Sequence, residues 1–150
     1  LNLLKLGVDV VFIAVKKSRK NHIKELNAQL FDLPEFASVK IAIYVEHTVD
    51  ATDLPTALWR FCNNLDPKRD YFLSKRSTSN GYMACMGLDG TRKTKELDDF
   101  QRDWPNIIVA NDETVKSVDA KWMQLGLGSF ITSPSLKFKE QMYGEEAVVG

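Results

Sequence analysis

Two stretches of sequence decide the fold, Val8-Asp9-Val10-Val11-Phe12-Ile13-Ala14-Val15 and Val39-Lys40-Ile41-Ala42-Ile43-Tyr44-Val45. Both are rich in β-branched residues and almost continuously apolar, which is typical of strands covered on both faces. The segment between them predicts a helix from a cap at Ser18 to about Leu30. A strand, a helix and a strand within about forty residues match the length of a βαβ unit.

The rest of the chain continues this alternation. Asp53 and Pro55 mark the start of a second helix, and Asn111 or Asp112 caps a third that ends before Gly126. Short strands are predicted over residues 70–73, 82–88 and 107–109, with a polar loop over residues 75–81. We therefore predict an α/β fold with a parallel or mixed sheet and flanking helices. One domain spans residues 1–126, and a C-terminal arm with one short helix spans residues 127–150.

The composition is that of an ordinary globular chain. Its 150 residues carry 20 Lys and Arg against 20 Asp and Glu, and 44% are hydrophobic. This balance excludes a disordered chain and a polybasic nucleic-acid arm. Nucleic-acid binding through the basic run at residues 16–20 is disfavoured by the zero net charge.

Cysteine use and apolar runs indicate the compartment. Cys62 and Cys85 have neither disulfide-framework nor zinc-site spacing, which favours a reducing, cytoplasmic setting. The longest apolar run, residues 10–15, is far too short to span a bilayer, and peripheral membrane contact is not indicated. The chain begins with Leu1 instead of Met, so we interpret it as part of a longer polypeptide.

A basic turn separates the first predicted strand from its helix. Lys16-Lys17-Ser18-Arg19-Lys20 is followed by His22. Cations in a first helical turn oppose the helix dipole, whereas free N–H groups beside cations suit a carboxylate or phosphate. Spacing alone favours the simpler interpretation, a solvated helix entrance with a partly buried histidine. On spacing alone, His22 is therefore interpreted as a satisfied, partly buried histidine and not as an acid–base catalyst.

Two further charged segments favour structural roles. In Asp66-Pro67-Lys68-Arg69-Asp70, the first carboxylate ends a helix and Arg69 pairs with a neighbour. In Gly87-Leu88-Asp89-Gly90-Thr91, a short carboxylate between glycines can accept backbone N–H bonds and fix a turn. The sequence contains no Ser-His-Asp order and no metal-binding spacing, so spacing alone supports only an α/β domain.

Taken together, these segments resemble the C-terminal domain of the UbiD family of decarboxylases, from about Val10 to Gly126. Any one of these segments is weak evidence for the resemblance, whereas six segments in the family's order are specific evidence. In chain order they are Val15-Lys16-Lys17 with His22, His47 to Asp53, Trp59 with Asp66 to Asp70, Met86 to Lys93, Arg102-Asp103-Trp104-Pro105, and Val118 to Trp122.

The resemblance implies a reversible, non-oxidative decarboxylation of an aromatic or α,β-unsaturated acid. The best-known family substrate is 4-hydroxy-3-polyprenylbenzoate of ubiquinone biosynthesis, and the cofactors are prenylated flavin mononucleotide with Mn²⁺ and K⁺. The family's glutamate–arginine–glutamate network and its flavin and metal ligands belong to a preceding flavin-binding domain. No stretch here matches them, so we expect no catalytic residue, no metal ligand and no activity from this chain alone.

The same resemblance assigns residues and partners. Lys17 and His22 would line the substrate cleft, and a structural motif would comprise Asp66, Arg69, Asp70, Asp89 and Thr91. The expected partners are the upstream flavin-binding domain of the same chain, a small aromatic or unsaturated acid, and further copies of the chain that contact the arm at residues 127–150.

The sequence departs from the family pattern at three places. Asn21 stands where a glycine is common, Gly90 stands where the family has alanine, and the stretch from Tyr71 to Cys85 is shorter. The shortened stretch leaves the acid that is decarboxylated unidentified. The alternative hypothesis is a free-standing, non-catalytic interaction module of the same fold, which the gene sequence upstream of Leu1 distinguishes from a domain of an enzyme.

Overall fold

The structure is a computed structural model that describes residues 2–7, 9–143 and 148–149. Val8, the first residue of the first predicted strand, lies outside the described residues. The chain forms two compact units, Leu1–Trp104 and Pro105–Gly150. The first unit contains the central sheet and the order of strand, helix and strand that the sequence predicts, and the second contains short helices and strands. The predicted division at residue 126 stays a prediction.

A five-stranded mixed sheet forms the centre of the first unit. Its strands are β1 (Asn2–Lys5), β2 (Val10–Val15), β3 (Ile41–Glu46), β4 (Tyr71–Thr78) and β5 (Gly81–Asp89). The spatial order is β1-β2-β3-β5-β4. Strands β2, β3 and β5 run parallel, whereas β1 and β4 are antiparallel edge strands. The predicted α/β fold with a mixed sheet is confirmed.

Helices cover both faces of this sheet. Helix α1 (His22–Leu30) packs Ile23 and Leu30 against one face, beside Val11 and Tyr44. Helix α2 (Leu54–Asn64) packs against the other face. There it forms a second hydrophobic cluster with Phe12, Ile43 and Val45 of the sheet. Successive side chains of a strand point to opposite faces, so two covered faces require a continuous apolar run.

The first helix begins later than predicted. Ser18 does not cap it, because Asn21 adopts a left-handed conformation with φ of 59° and separates Ser18 from the helix. The N–H of Ser18 instead donates to Nδ1 of His22 at 3.3 Å. The second helix begins as predicted, with Thr56 N–H donating to the Asp53 side chain. A short helix, α3 (Lys95–Asp98), was not predicted.

The predicted polar loop over residues 75–81 is wrong. Residues 75–78 belong to β4, residues 79 and 80 form the turn, and Gly81 begins β5. Two of the polar side chains of β4 bond to residues that are distant in the sequence, which makes them compatible with a strand. Ser74 accepts from Asn27 on α1, and Arg76 donates to the carbonyl of Phe36 at 2.8 Å.

Gly90 occupies a position with no room for a side chain. A Cβ there would lie 2.7 Å from Phe61 Cδ2 and 3.0 Å from both Phe61 Cα and Tyr44 O. The backbone of α2 therefore approaches too closely for alanine, which explains this departure from the family pattern.

We expect Gly90→Ala to lower the free energy of unfolding by about 1–3 kcal/mol, because overpacking forces backbone shifts. Urea unfolding followed by circular dichroism measures it. The control is Gly7→Ala, since a Cβ there meets nothing within 4 Å. Equal unfolding midpoints for the two variants would contradict the explanation.

The second unit is built from short elements. They are β6 (Val109–Ala110), α4 (Asp112–Lys121), α5 (Pro134–Phe138) and β7 (Val148–Val149), with β6 and β7 parallel. Asn111 caps α4 by accepting from Thr114 N–H at 2.7 Å. On this helix Val115 is buried, whereas Val118 is 41% exposed. No helix in the described part of the chain is long and apolar enough to cross a membrane.

Candidate functional site

A cleft of about 230 Å³ opens at one edge of the central sheet. Because β2, β3 and β5 are parallel, their carboxyl ends meet at this edge, which is where α/β sheets place ligand sites. The cleft lies where β2 continues into Lys17 and α1, and where β5 continues into Lys93 and α3. Both residues proposed from the sequence, Lys17 and His22, line it.

Lys17 is committed to an ion pair within the cleft wall. Its Nζ lies 2.7 Å from both carboxylate oxygens of Asp98, and its side chain is only 9% exposed. Burial lowers the pKa of Lys17, and the hydrogen bond to Asp98 partly offsets that effect. Asp98 also accepts the N–H of Thr94 at 2.8 Å. Lys17 therefore anchors α3 to the end of β2.

Two other cations of the basic turn form exposed ion pairs. Lys20 Nζ lies 2.6 Å from Asp99, and Arg19 donates to Glu25 at 2.6 Å. These carboxylates balance the cations at the start of α1, which are unfavourable near a helix N-terminus. His22 accepts from Ser18 through Nδ1, so in the neutral ring the proton resides on Nε2. Its imidazole is half-buried.

A buried cluster forms the floor of the cleft. Lys93 is 2% exposed, and its Nζ donates to the Asp89 carbonyl at 2.8 Å. The same Nζ lies 3.1 Å from the carboxylate of Asp89 and 3.5 Å from that of Asp70. Arg69 adds a bidentate pair to Asp70, with both bonds at 2.7 Å. Two cations thus balance two carboxylates.

The charge of Asp70 is stabilised by its neighbours. Burial alone would raise the pKa of Asp70, but the hydrogen bonds from Arg69 and from Asp66 N–H and the charge of Lys93 lower it below its ordinary value. Asp66 itself accepts Lys68 N–H at 2.9 Å and so forms the turn after α2. This arrangement is the helix stop and paired arginine that the sequence predicts.

Asp89 and Thr91 form a second local turn. One oxygen of Asp89 accepts the N–H of Thr91 at 3.0 Å and its hydroxyl at 2.5 Å. Thr91 is 1% exposed. These are the bonds that a structural role requires, and that role stays a prediction until the residues are substituted.

Sequence reasoning missed a second buried network beside the cleft. Glu46, the last residue of β3, is 3% exposed and forms an ion pair with Arg60 on α2. Asn64 donates to Glu46 and, at 2.9 Å, to the Gly90 carbonyl. Trp104 Nε1 donates to Asn64 at 2.9 Å. The one sequence feature that pointed to this network was the spacing of Arg60 and Asn64, which places both side chains on the same face of α2.

The charged side chains of the cleft bond mainly to one another. Among the described residues, no group of three or more His, Cys, Asp or Glu side chains could hold a metal ion. The carboxylates that line the cleft accept from Lys, Arg or Thr side chains.

Comparisons with known proteins agree with this geometry. The sequence model of a family described as the 3-octaprenyl-4-hydroxybenzoate carboxy-lyase C-terminal domain matches residues 4–93. An uncharacterized protein of Aeropyrum pernix is 26% identical over 127 residues, which cover 79% of this chain and 26% of that protein. An uncharacterized protein of Aquifex aeolicus is 27% identical over 124 residues, which cover 77% of this chain and 25% of that protein. The chain therefore spans about a quarter of the length of these relatives.

A solved structure shows the same fold. The closed form of vanillic acid decarboxylase from Sedimentibacter hydroxybenzoicus superposes with a TM-score of 0.59 at 18% identity, covering 80% of this chain and 27% of that one. The open form of the same enzyme gives a TM-score of 0.56 at 19% identity, and the match covers 78% of this chain and 27% of the enzyme chain. The resemblance to the UbiD family is confirmed. Because the match over residues 4–93 takes in more than half of the chain, the protein belongs to the family of UbiD-type carboxy-lyase C-terminal domains.

Proposed function

We propose that this chain is the C-terminal domain of a prenylated-FMN-dependent decarboxylase. The reaction is the reversible, non-oxidative loss of carbon dioxide from an aromatic or α,β-unsaturated acid such as 4-hydroxy-3-polyprenylbenzoate. The observation that carries the proposal is the family match over residues 4–93. That segment includes β2, β3 and β5 and most of the cleft at their carboxyl ends.

The role of the domain is to form one wall of the active site. Loss of carbon dioxide from a vinylic or aryl carbon leaves a poor carbanion, and the flavin supplies the electron sink. The described residues do not fit a flavin-phosphate site with Mn²⁺ and K⁺, because the cleft carboxylates are already bonded to cations and hydroxyls. We therefore assign cofactor binding and catalysis to the upstream flavin-binding domain, and the cleft wall to Lys17 and His22.

The pairing of Lys17 restricts what that wall does. An ammonium bonded to both oxygens of Asp98 holds α3 in place and is not open to a substrate carboxylate. His22 accepts the Ser18 N–H through Nδ1, which leaves Nε2 as its donor. Lys17 thus acts as a positioning residue, and His22 as the contact to the substrate or to the upstream domain.

The remaining parts of the proposal concern assembly and location. Leu127, Phe130 and Ile131 in the arm are 54–62% exposed, which supports docking on a neighbouring subunit. Cys62 and Cys85 are both free, which supports a reducing, cytoplasmic setting.

The test is a reconstitution. The purified chain is mixed with prenylated flavin, Mn²⁺ and K⁺, and flavin retention and carbon dioxide release are measured over a panel of aromatic and unsaturated acids. We expect neither from this chain, and both from a polypeptide that joins it to its flavin-binding domain. Stoichiometric flavin binding with turnover by the chain alone would contradict the assignment of catalysis, and an inactive joined polypeptide would contradict the function.

A further inference from the structure

The tip of the hairpin between β4 and β5 contains the one Asn-Gly dipeptide of the chain, Asn80-Gly81. Asparagine is a thermolabile residue. Its side-chain amide is lost when the main-chain nitrogen of the next residue attacks the side-chain carbonyl. Glycine hinders that attack least, because it has no Cβ. Of the asparagines in the chain, Asn80 therefore has the most reactive neighbour.

The turn itself holds these two residues only lightly. Both are exposed, and a Cβ placed on Gly81 would meet nothing within 4 Å. Thr78 pairs with Gly81, so Ser79 and Asn80 are the two central residues of the turn. Neither has the positive φ that the favoured two-residue hairpin turns use. The twist of this turn therefore does not match the twist of its strands, and the tip is weakly restrained.

The attacking group is the main-chain nitrogen of Gly81. Asp89 N–H donates to the Asp70 carbonyl at 2.8 Å, and hydrogen-bonded pairs alternate along an antiparallel ladder. The pair of residues 78 and 81 is therefore hydrogen-bonded as well, and it is the last pair of the ladder. Opening this pair costs little, because exposed ends of elements fray with free energies near zero. The Gly81 nitrogen is thus accessible in the folded chain.

We infer that Asn80 is a site of spontaneous deamidation in the folded protein. The Gly81 nitrogen attacks Cγ of Asn80, the new C–N bond closes a succinimide ring, and the side-chain nitrogen leaves as ammonia with the proton from Gly81. Water then opens the ring at either carbonyl, which gives aspartate or isoaspartate at residue 80. The reaction consumes water and needs no oxidant or reductant. The inference does not rest on the proposed decarboxylase function.

A second dipeptide of this reaction type shows what the fold protects. Asp89-Gly90 can also close a succinimide, but Gly90 N–H donates to the Tyr44 carbonyl at 2.9 Å. The Asp89 carboxylate is buried and accepts the Thr91 N–H and hydroxyl. Both reacting groups are therefore bonded elsewhere and shielded from water. The folded chain should react at residue 80 and not at residue 89, whereas unfolding exposes both.

The product differs from the native turn in charge and in length. The 20 cationic and 20 acidic residues balance, so one new carboxylate gives the chain a formal net charge of −1. Residues 71–88 contain no Asp or Glu, so this carboxylate is the first in the hairpin. Isoaspartate also routes the main chain through its side-chain carbon and adds a methylene before Gly81. We expect the pair of residues 78 and 81 to be lost, with the cleft at the opposite end of β5 unchanged.

Peptide mapping tests the inference. The folded chain is incubated at neutral pH, and trypsin then releases residues 77–92, one peptide that contains both dipeptides. We expect a mass increase that corresponds to replacing an amide by a carboxyl group, located at residue 80 and growing with time. A zero-time sample, digested identically, corrects for deamidation during digestion. Isoaspartate is measured with a protein isoaspartate methyltransferase and labelled S-adenosylmethionine. The label is expected at residue 80 in the folded chain, and at residues 80 and 89 in urea.

Two variants separate this chemistry from simple exposure. Asn80→Gln keeps an exposed carboxamide at the turn but requires a larger ring, so the mass increase at residue 80 should be lost. The matched control is Asn63→Gln, which replaces an exposed asparagine on α2 that is followed by Asn64 and not by glycine. This variant should deamidate at residue 80 like the wild type. No conversion at residue 80 in the folded chain, or equal conversion at Asn63, would overturn the inference. Equal isoaspartate at residues 80 and 89 of the folded chain would overturn the protection assigned to the fold.

Discussion

Replacing Lys93 by Met is expected to lower the free energy of unfolding by about 3–5 kcal/mol, because it leaves buried carboxylates without their cation. Asp70 is 3% exposed and Asp89 is 7% exposed, and both face the Lys93 ammonium. Arg69 still pairs with Asp70 in the variant, whereas among the described residues Asp89 retains hydrogen bonds from Thr91 alone. Urea unfolding at neutral pH measures the loss. A decrease below 1 kcal/mol would contradict the account of the cluster.

The pH dependence separates lost charge from lost packing. The charge of Lys93 helps to hold the pKa of Asp70 below its ordinary value, so its removal raises that pKa. Protonation then relieves the unpaired charge, and the stability deficit of the variant should shrink as the pH falls through the raised pKa. The control is Lys95→Met, which removes an exposed lysine and should change stability by less than about 0.5 kcal/mol. A deficit that is constant with pH would indicate packing alone.

The central strands were predictable because burial on both faces leaves a mark in their own sequences. β2 and β3 are covered on both faces, and this forces the continuous apolar runs that identify them. The cap and first turn of α2 were equally visible, since Asp53 and Pro55 act within their own turn. Where an element is set by neighbours in sequence, the sequence alone predicts it.

The β4–β5 hairpin was mispredicted for the opposite reason. Its polar residues obtain partners from distant parts of the chain, such as Asn27 for Ser74 and Phe36 for Arg76. Composition therefore suggested a loop, although the alternating exposure of residues 71–76 is that of a strand. The start of α1 was misplaced because the left-handed conformation of Asn21 is not encoded by periodicity.

The cleft was only half predictable. One wall of the cleft is predictable from the basic turn at residues 16–20. Cations are unfavourable at the start of a helix, and such local conflicts often mark functional sites. The other wall is not predictable, because the partner of Lys17 is Asp98, 81 positions away. The sequence predicted that Lys17 lines a cleft, but its ion pair with Asp98 within the cleft wall was not predictable.

Substituting Met for Arg60 is the second change with a large expected effect. It should lower the free energy of unfolding by about 3–5 kcal/mol, since Glu46 would be buried without its cation. Asn64 would remain the only side chain that donates to Glu46 among the described residues. The exposed residue Lys16, substituted by Met, is the control. Thermal and urea unfolding of both variants give the difference, and a loss no larger than that of the control would contradict it.

The double variant Glu46→Met/Arg60→Met tests what the pair contributes as a unit. Arg60 Nε is buried without a hydrogen-bond partner among the described residues, so the pair does not recover all of its desolvation cost. Replacing both members of such a pair by apolar groups is often neutral or stabilising. We therefore expect the double variant to be more stable than Arg60→Met. A double variant less stable than the Arg60 single variant would show that the ion pair itself, and not the penalty of breaking it, stabilises the junction between β3 and α2.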